Sequence, residues 1–367
     1  MRLKAASGLP AQPDHSNGAA HSAWRVATTY GLDVIETAQR LADEVLFPAA
    51  QQVDQASIPD AHFEALAAAG LFSLDGLTPT VVRRVLASIA GGCGATYFVW
   101  VQHHGVLRTL ASSSNDALRT TLLTQMQRGD LVAGVAFAHM RREGNPAITA
   151  IKTAAGWRLN GTAPWATSWG IADWFCVAAE SGHGEVVWSM VPGRAGPGLT
   201  TAALHLPVFA STGTVAVHFD NYEVAESSTV SVDDLATWRR VDRLRAALGQ
   251  PAVLGVAARA IHLLDERGGE AADASNRLAV QLADLWDQDD VLLARLGEAD
   301  DDAITASSDH RAACLDLGQR ATTALLAASG GAGMDLGHPA QRLAREAAFY
   351  VIQAQTADGR SATLRSI

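Results

Sequence analysis

The stretch Trp165-Ala166-Thr167-Ser168 places a large aromatic ring beside two hydroxyls and a run of backbone donors. Those groups suit a flat heterocycle with a polar edge: the ring packs, and the hydroxyls and amides hydrogen-bond. Strand-like runs flank it. Trp157 and Leu159, and then Trp174, Cys176 and Ala178, alternate with other residues at period two, the pattern of half-buried strands. Asn160-Gly161 predicts the positive-φ positions of a tight hairpin turn. An ordinary hairpin with a core tryptophan has the same pattern, and on this stretch alone both readings stand.

Other chemistry-bearing residues are less pointed. His103 and His104 are adjacent, about 100° apart on a helix, so they do not chelate as a pair; one packed and one partly exposed histidine is expected. Cys93, Cys176 and Cys314 have no metal-type spacing and leave an odd count, so no metal site is expected and a reduced, cytoplasmic setting is. Arg141-Arg142 reads either as an anion-binding pair or as solvated charge. The acidic run Glu298 to Asp302 reads as a solvated loop between helices.

These residues sit in a chain of 367, long enough for two or three subdomains. Hydrophobic content of 48% with 18% charged residues is that of a globular protein. A net charge of −10 without a basic run argues against a nucleic-acid surface. An anionic ligand would be held by local arginines and helix N-termini. No apolar run approaches the ~20 residues of a spanning helix, and no hydrophobic signal core is evident, so no membrane role is expected.

The order of elements is helices, strands, helices. Residues 1–22 read as a loose tail. From 23 to 130 the pattern is helical: Val34, Ala38, Leu41 and Val45 recur at helical spacing with Pro48 near the end of the run, and Phe63, Leu66 and Leu71 follow with Gly70 as a cap. Val81 to Leu110 is a long apolar run interrupted by Gly91-Gly92-Cys93-Gly94, as closely packed buried helices require. From 131 to 230, Val132–Phe137, Val186–Val191 and Thr214–Asp220 predict strands of a small β-domain. From 231 to 367 helices return, with stripes such as Val253, Val256, Ile261 and Leu264, or Leu278, Leu282, Leu285, Val291 and Leu296.

Three motifs in order carry a resemblance. Leu159-Asn160-Gly161-Thr162-x-x-Trp165-x-Thr167-Ser168-x-Gly170 resembles the middle-domain signature of the acyl-CoA dehydrogenase family of flavoproteins. Val241-Asp242-Arg243-Leu244-Arg245 is similar to the helix that opens that family's C-terminal bundle, and Ser329-Gly330-Gly331-Ala332-Gly333 with Pro339-x-x-Arg342-x-x-Arg345-Glu346 resembles its late glycine loop and arginine-bearing helix. The resemblance implies an α+β, mainly helical fold: an N-terminal helical bundle, a central small β-barrel-like domain and a C-terminal four-helix bundle. It also implies a flavin, FAD in the first instance, with FMN or an exchangeable reduced flavin as the alternative. By the same resemblance Phe137, Ala138, Trp165, Thr167, Ser168, Thr356 and Asp358 would face the cofactor. Gly330 and Gly331 would approach that of a neighbouring subunit in a homodimer or homotetramer, and Asp242 with Arg245 would contact an acyl thioester.

Departures from the pattern bear on activity. The family's base, a glutamate that removes the α-proton, aligns with Ala354 in Ala354-Gln355-Thr356, and its alternative location falls at Leu244; a carboxylate is what that step needs. The loop after the first strand reads His139-Met140-Arg141-Arg142-Glu143-Gly144-Asn145-Pro146, and the Arg-x-x-Phe-Gly motif keeps only Gly269. Three functions follow: an FAD-dependent oxidoreductase on an acyl thioester without the usual glutamate, a monooxygenase using reduced flavin and oxygen, or a non-catalytic subunit that pairs with a glutamate-bearing paralogue. Glu346 and Asp358 are the carboxylates nearest in sequence to the missing base.

Overall fold

A computed structural model describes residues 31–142, 144–295 and 301–367. The tail 1–22, Glu143, Leu296 and the 298–300 part of the acidic run lie outside the described residues; Asp301 and Asp302 begin a helix. The N-terminal helices are α1 (31–41), a π-helical turn (Ala42–Leu46), α2 (Phe47–Gln55), α3 (Asp60–Ala68), α4 (Pro79–Gly92), α5 (Gly94–Ala111) and α6 (Asp116–Arg128). Pro48 does not end its helix as expected. Proline has no N–H and crowds the preceding turn, and the wider π turn just before it lets the chain run on to Gln55.

The long apolar run divides at Cys93, whose extended backbone (φ −146°, ψ 107°) separates α4 from α5. The glycines there are steric requirements. A Cβ on Gly91 would lie 2.7 Å from the carbonyl oxygen of Gly255, and one on Gly255 only 2.0 Å from that of Ala87. Helix α4 thus packs backbone to backbone on the C-terminal bundle.

Eight strands follow: β1 (Ala133–Ala136), β2 (Ile148–Thr153), β3 (Gly156–Ala166), β4 (Trp174–Ser181), β5 (Glu185–Pro192), β6 (Leu199–Ala203), β7 (Val215–Ala225) and β8 (Thr229–Asp234). They form one sheet in the order β6-β7-β3-β2-β4-β5-β8, with β1 paired parallel to β4. Asn160-Gly161 is not the hairpin turn that its dipeptide suggests. Strand β3 runs straight through it, and the register against β7 slips there, making a bulge. Gly161 (φ +127°) lies where a Cβ would be 2.1 Å from the Ala147 carbonyl oxygen, and Asn160 Oδ1 accepts the backbone N–H of Asn221.

The C-terminal helices are α7 (Leu235–Ala247), α8 (Pro251–Asp265), α9 (Gly269–Arg295), α10 (Asp301–Ser329), α11 (Pro339–Tyr350) and α12 (Ala357–Ser366). Residues Leu235–Asp265 are long and apolar enough to cross a membrane by length and composition, but 72% of the apolar window is buried inside the protein and Leu248 breaks the helix. One hydrophobic core joins the N-terminal helices to α8–α11, and two smaller cores lie on either side of the sheet. His103 and His104 are both buried, which corrects the expected half-exposed pair. The imidazole of His103 bridges Met126 and Ala133, and burial pulls its pKa down to about 4.

Candidate functional site

Strand β3 carries Trp165 out to its end, where the indole is 42% exposed. Such a ring face left open beside buried neighbours is a platform for another flat ring. Thr167 follows but points inward. Its hydroxyl shares a hydrogen bond with Thr214 (2.9 Å), which shares one with Thr212 (2.9 Å), which donates to the Phe209 carbonyl (2.7 Å). Ser168 is fully buried in the left-handed region (φ +81°), and its backbone N–H donates to the Thr212 carbonyl. Both hydroxyl residues thus brace the loop from within. The Ser-Thr-Gly-Thr run at 211–214 was the sequence signal for this chain of hydroxyls.

The end of β1 is adjacent. A Cβ on Gly134 would lie 2.9 Å from the Thr167 carbonyl oxygen, and the 3-10 turn Ala138–Arg141 packs on β3. Phe137 joins Trp188 and Trp238 in an aromatic trio, with centroids 5.7 and 6.3 Å from its own, and Arg141 holds its guanidinium 5.2 Å from the Phe137 ring. Ala138 is exposed. Arg141 then makes a two-pronged ion pair with Asp242 on α7, Nε to Oδ2 at 2.7 Å and Nη2 to Oδ1 at 2.8 Å. This partner lies 101 residues away, and no local pattern announces it. Asp242 and Arg245 do not pair with each other; Arg245 is exposed and lies within electrostatic reach of Arg108 on α5.

The other wall is α10 and α12. Arg243 grips Asp358 through two hydrogen bonds of 2.8 and 3.1 Å and reaches Asp301 at 2.9 Å. Hydrogen bonding to Arg243 holds the Asp358 carboxyl below the usual carboxylate range. Thr356 caps α12, its hydroxyl accepting the Gly359 N–H. Beside it the buried Arg311 donates to the Gln353 carbonyl (2.6 Å) while its Nη1 has no partner among the described residues; burial lowers its pKa to about 10. Ala354, which the resemblance aligns with the family's base, adopts φ +51°. Glu346 is sealed in the core against Arg342.

Phe137, Ala138, Trp165, Thr167 and Ser168 therefore gather at one end of the sheet. Asp242 joins them through Arg141, and Asp358 with Thr356 stands on α12, tied to α7 by Arg243. Gly330 and Gly331 do not join this group. They open a 3-10 turn after α10, exposed, with nothing within 4 Å of a would-be Cβ.

No protein-family model matches this sequence, and no curated protein matches it. Solved structures do. The chain is similar to butyryl-CoA dehydrogenase from Megasphaera elsdenii at 15% identity, over 92% of this chain and 97% of that one, with a TM-score of 0.76. A probable acyl-CoA dehydrogenase from Mycobacterium abscessus superposes equally well, at 16% identity over 91% and 97% (TM-score 0.76). So does the dibenzothiophene monooxygenase of Paenibacillus sp. A11-2, at 16% identity over 91% and 96% (TM-score 0.73). The chain has the acyl-CoA dehydrogenase-like fold, a fold that dehydrogenases and a monooxygenase share.

Proposed function

We propose that this chain is a flavin-dependent oxidoreductase whose reaction is not begun by a carboxylate base, with reduced flavin and oxygen as its reactants. The observation that supports this most is the state of the acids. Ala354 and Leu244 stand where a base would, and Asp242 and Asp358 each have both carboxylate oxygens engaged by an arginine. Both oxygens of each carboxylate are thus committed to guanidinium donors, and hydrogen bonding to Arg243 holds Asp358 below the usual carboxylate range. Monooxygenation asks for no such acceptor, and the fold's occurrence in a dibenzothiophene monooxygenase accords with that reading.

The residues fit a flavin in part. The open Trp165 ring suits the flat face of the isoalloxazine, and Arg311, with an unpartnered buried N–H, suits an anion beside the N-terminus of α12. The Thr167 hydroxyl spends its proton on Thr214, so it would offer a flavin only its acceptor lone pairs. A bound flavin would accept hydride from a substrate or, when reduced, activate oxygen. The chain's part would be to pack the ring on Trp165, to hold Arg141 and Asp242 as one rigid wall, and to exclude water with the Phe137–Trp188–Trp238 trio.

Dehydrogenation of an acyl thioester is the second reading, favoured by Asp242 and the open Arg245 on α7. In either case FAD is the first cofactor to test and FMN the second. The assembly would be a homodimer or homotetramer, or a hetero-oligomer with a paralogue, in the cytoplasm. The experiment is a titration of the purified chain with oxidised and anaerobically reduced flavin, followed by flavin fluorescence. Tighter binding of the reduced form, weakened about tenfold in Trp165→Ala, is expected. No binding of either form would overturn the proposal.

A further inference from the structure

Where α3 and α6 meet the sheet, a pocket of about 720 Å³ opens between α3, the end of α6 and the loops that follow β3 and precede β7. Its volume is in the range of small-molecule sites. Trp169, partly buried, and Phe63 supply aromatic walls. Asp60 and Glu64, one helical turn apart on α3, share a face, and Asp130, just past the Gly129 cap of α6, also lines the pocket. Against these three carboxylates stands the lone guanidinium of Arg128, and none of the four makes an ion pair among the described residues. Ser211, also lining the pocket, is only 9% exposed, and its hydroxyl has no hydrogen-bond partner among the described residues.

We infer that this pocket is an accessory binding site for a small organic cation with an apolar body. An excess of negative charge on low-dielectric walls concentrates cations. Aromatic faces attract an ammonium directly and cover its apolar substituents, and the orphan Ser211 hydroxyl offers a polar anchor that burial otherwise leaves at a cost. The pocket's back wall is the loop that carries the chain of threonine hydroxyls. Trp169 N–H donates to the Gly213 carbonyl there, one residue from the Ser168–Thr212 link. An occupant would therefore brace the loop that follows Trp165.

The test is calorimetric titration of the full chain with benzylammonium, with benzoate as an anion of similar size. The cation is expected to bind with a dissociation constant at or below about 1 mM, and benzoate not to bind. Glu64→Gln combined with Asp130→Asn, two exposed positions, should weaken binding about tenfold with unchanged circular dichroism. Asp284→Asn combined with Asp287→Asn, which removes the same charge from exposed sites on α9, should leave it unchanged. Absence of binding, equal binding of benzoate, or an equal loss in the control pair would each overturn the inference.

Discussion

Carboxylates meet arginines in two regions of this molecule, and the surroundings decide what each pair does. In the interior, Asp289 receives Arg83 through Nε (2.5 Å) and Nη2 (2.6 Å) and His310 at 3.2 Å, with side chains 1–10% exposed. Arg83 also donates to the Gly249 carbonyl at the break between α7 and α8. At the candidate site, Arg141–Asp242 is 17% and 13% exposed, and Arg243–Asp358 44% and 29%. The interior pair joins α4 of one bundle to α9 of the other; losing a partner there strands a charge in the core. Arg243–Asp358 stands in water, and losing one partner there frees a charge that water can solvate; Arg141–Asp242, mostly covered, lies between the two cases. The first is structural; the second sets what the wall can do chemically.

The largest expected effect tests the interior side. Asp289→Ala should cost about 3–5 kcal/mol, because Arg83 would remain buried without its partner; urea unfolding measures it, and a loss under 1 kcal/mol would show that the core tolerates the open charge. Histidines buried without charge come next. His103 and His139, each held near pKa 4 chiefly by burial, titrate near 6.5 once unfolded. Between those values the unfolded chain binds the protons and the native chain does not. Their stabilisation is therefore complete above about pH 6.5 and declines as the pH falls towards 4, by up to about 1.4 kcal/mol per unit for each. Stability measured across that window should fall, less steeply in His103→Asn.

Gly255→Ala drives a methyl to 2.0 Å from the Ala87 carbonyl oxygen, and should cost about 1–3 kcal/mol by forcing α4 and α8 apart; an unchanged melting temperature would mean the helices slide freely. The candidate-site pairs close the series. Arg141→Ala should cost about 1–2 kcal/mol, because a mostly covered Asp242 loses both of its donors, and Asp358→Asn no more than about 1 kcal/mol, with the second effect shrinking in high salt. If either equals the loss in Asp289→Ala, the contrast between the regions fails.

Helices, then strands, then helices were legible in the sequence because periodicity is written locally. So were the close helix contacts, since Gly91, Gly92 and Gly94 admit few other purposes. Asn160-Gly161 misled because a bulge and a hairpin use the same positive-φ dipeptide, and only the neighbouring strand decides between them. Pro48 misled because a π turn upstream absorbs what would otherwise stop a helix. The open ring of Trp165 falls in the stretch whose residue types single it out, because an aromatic beside hydroxyls is a local pattern. The grip of Arg141 on Asp242 and of Arg243 on Asp358 was not, because partners 101 and 115 residues apart are chosen by tertiary packing.

The claim that neither Asp242 nor Asp358 serves as a base is tested most directly by hydrogen exchange. The flavin-loaded chain would be held without oxygen in heavy water with a panel of acyl-CoA thioesters, following the α-hydrogens by mass and the flavin by absorbance. The account predicts no exchange above a protein-free control and no bleaching of the flavin. Exchange at the α-carbon, or a flavin bleached by any thioester, would contradict it and make this chain a dehydrogenase with a base the arginines do not hold.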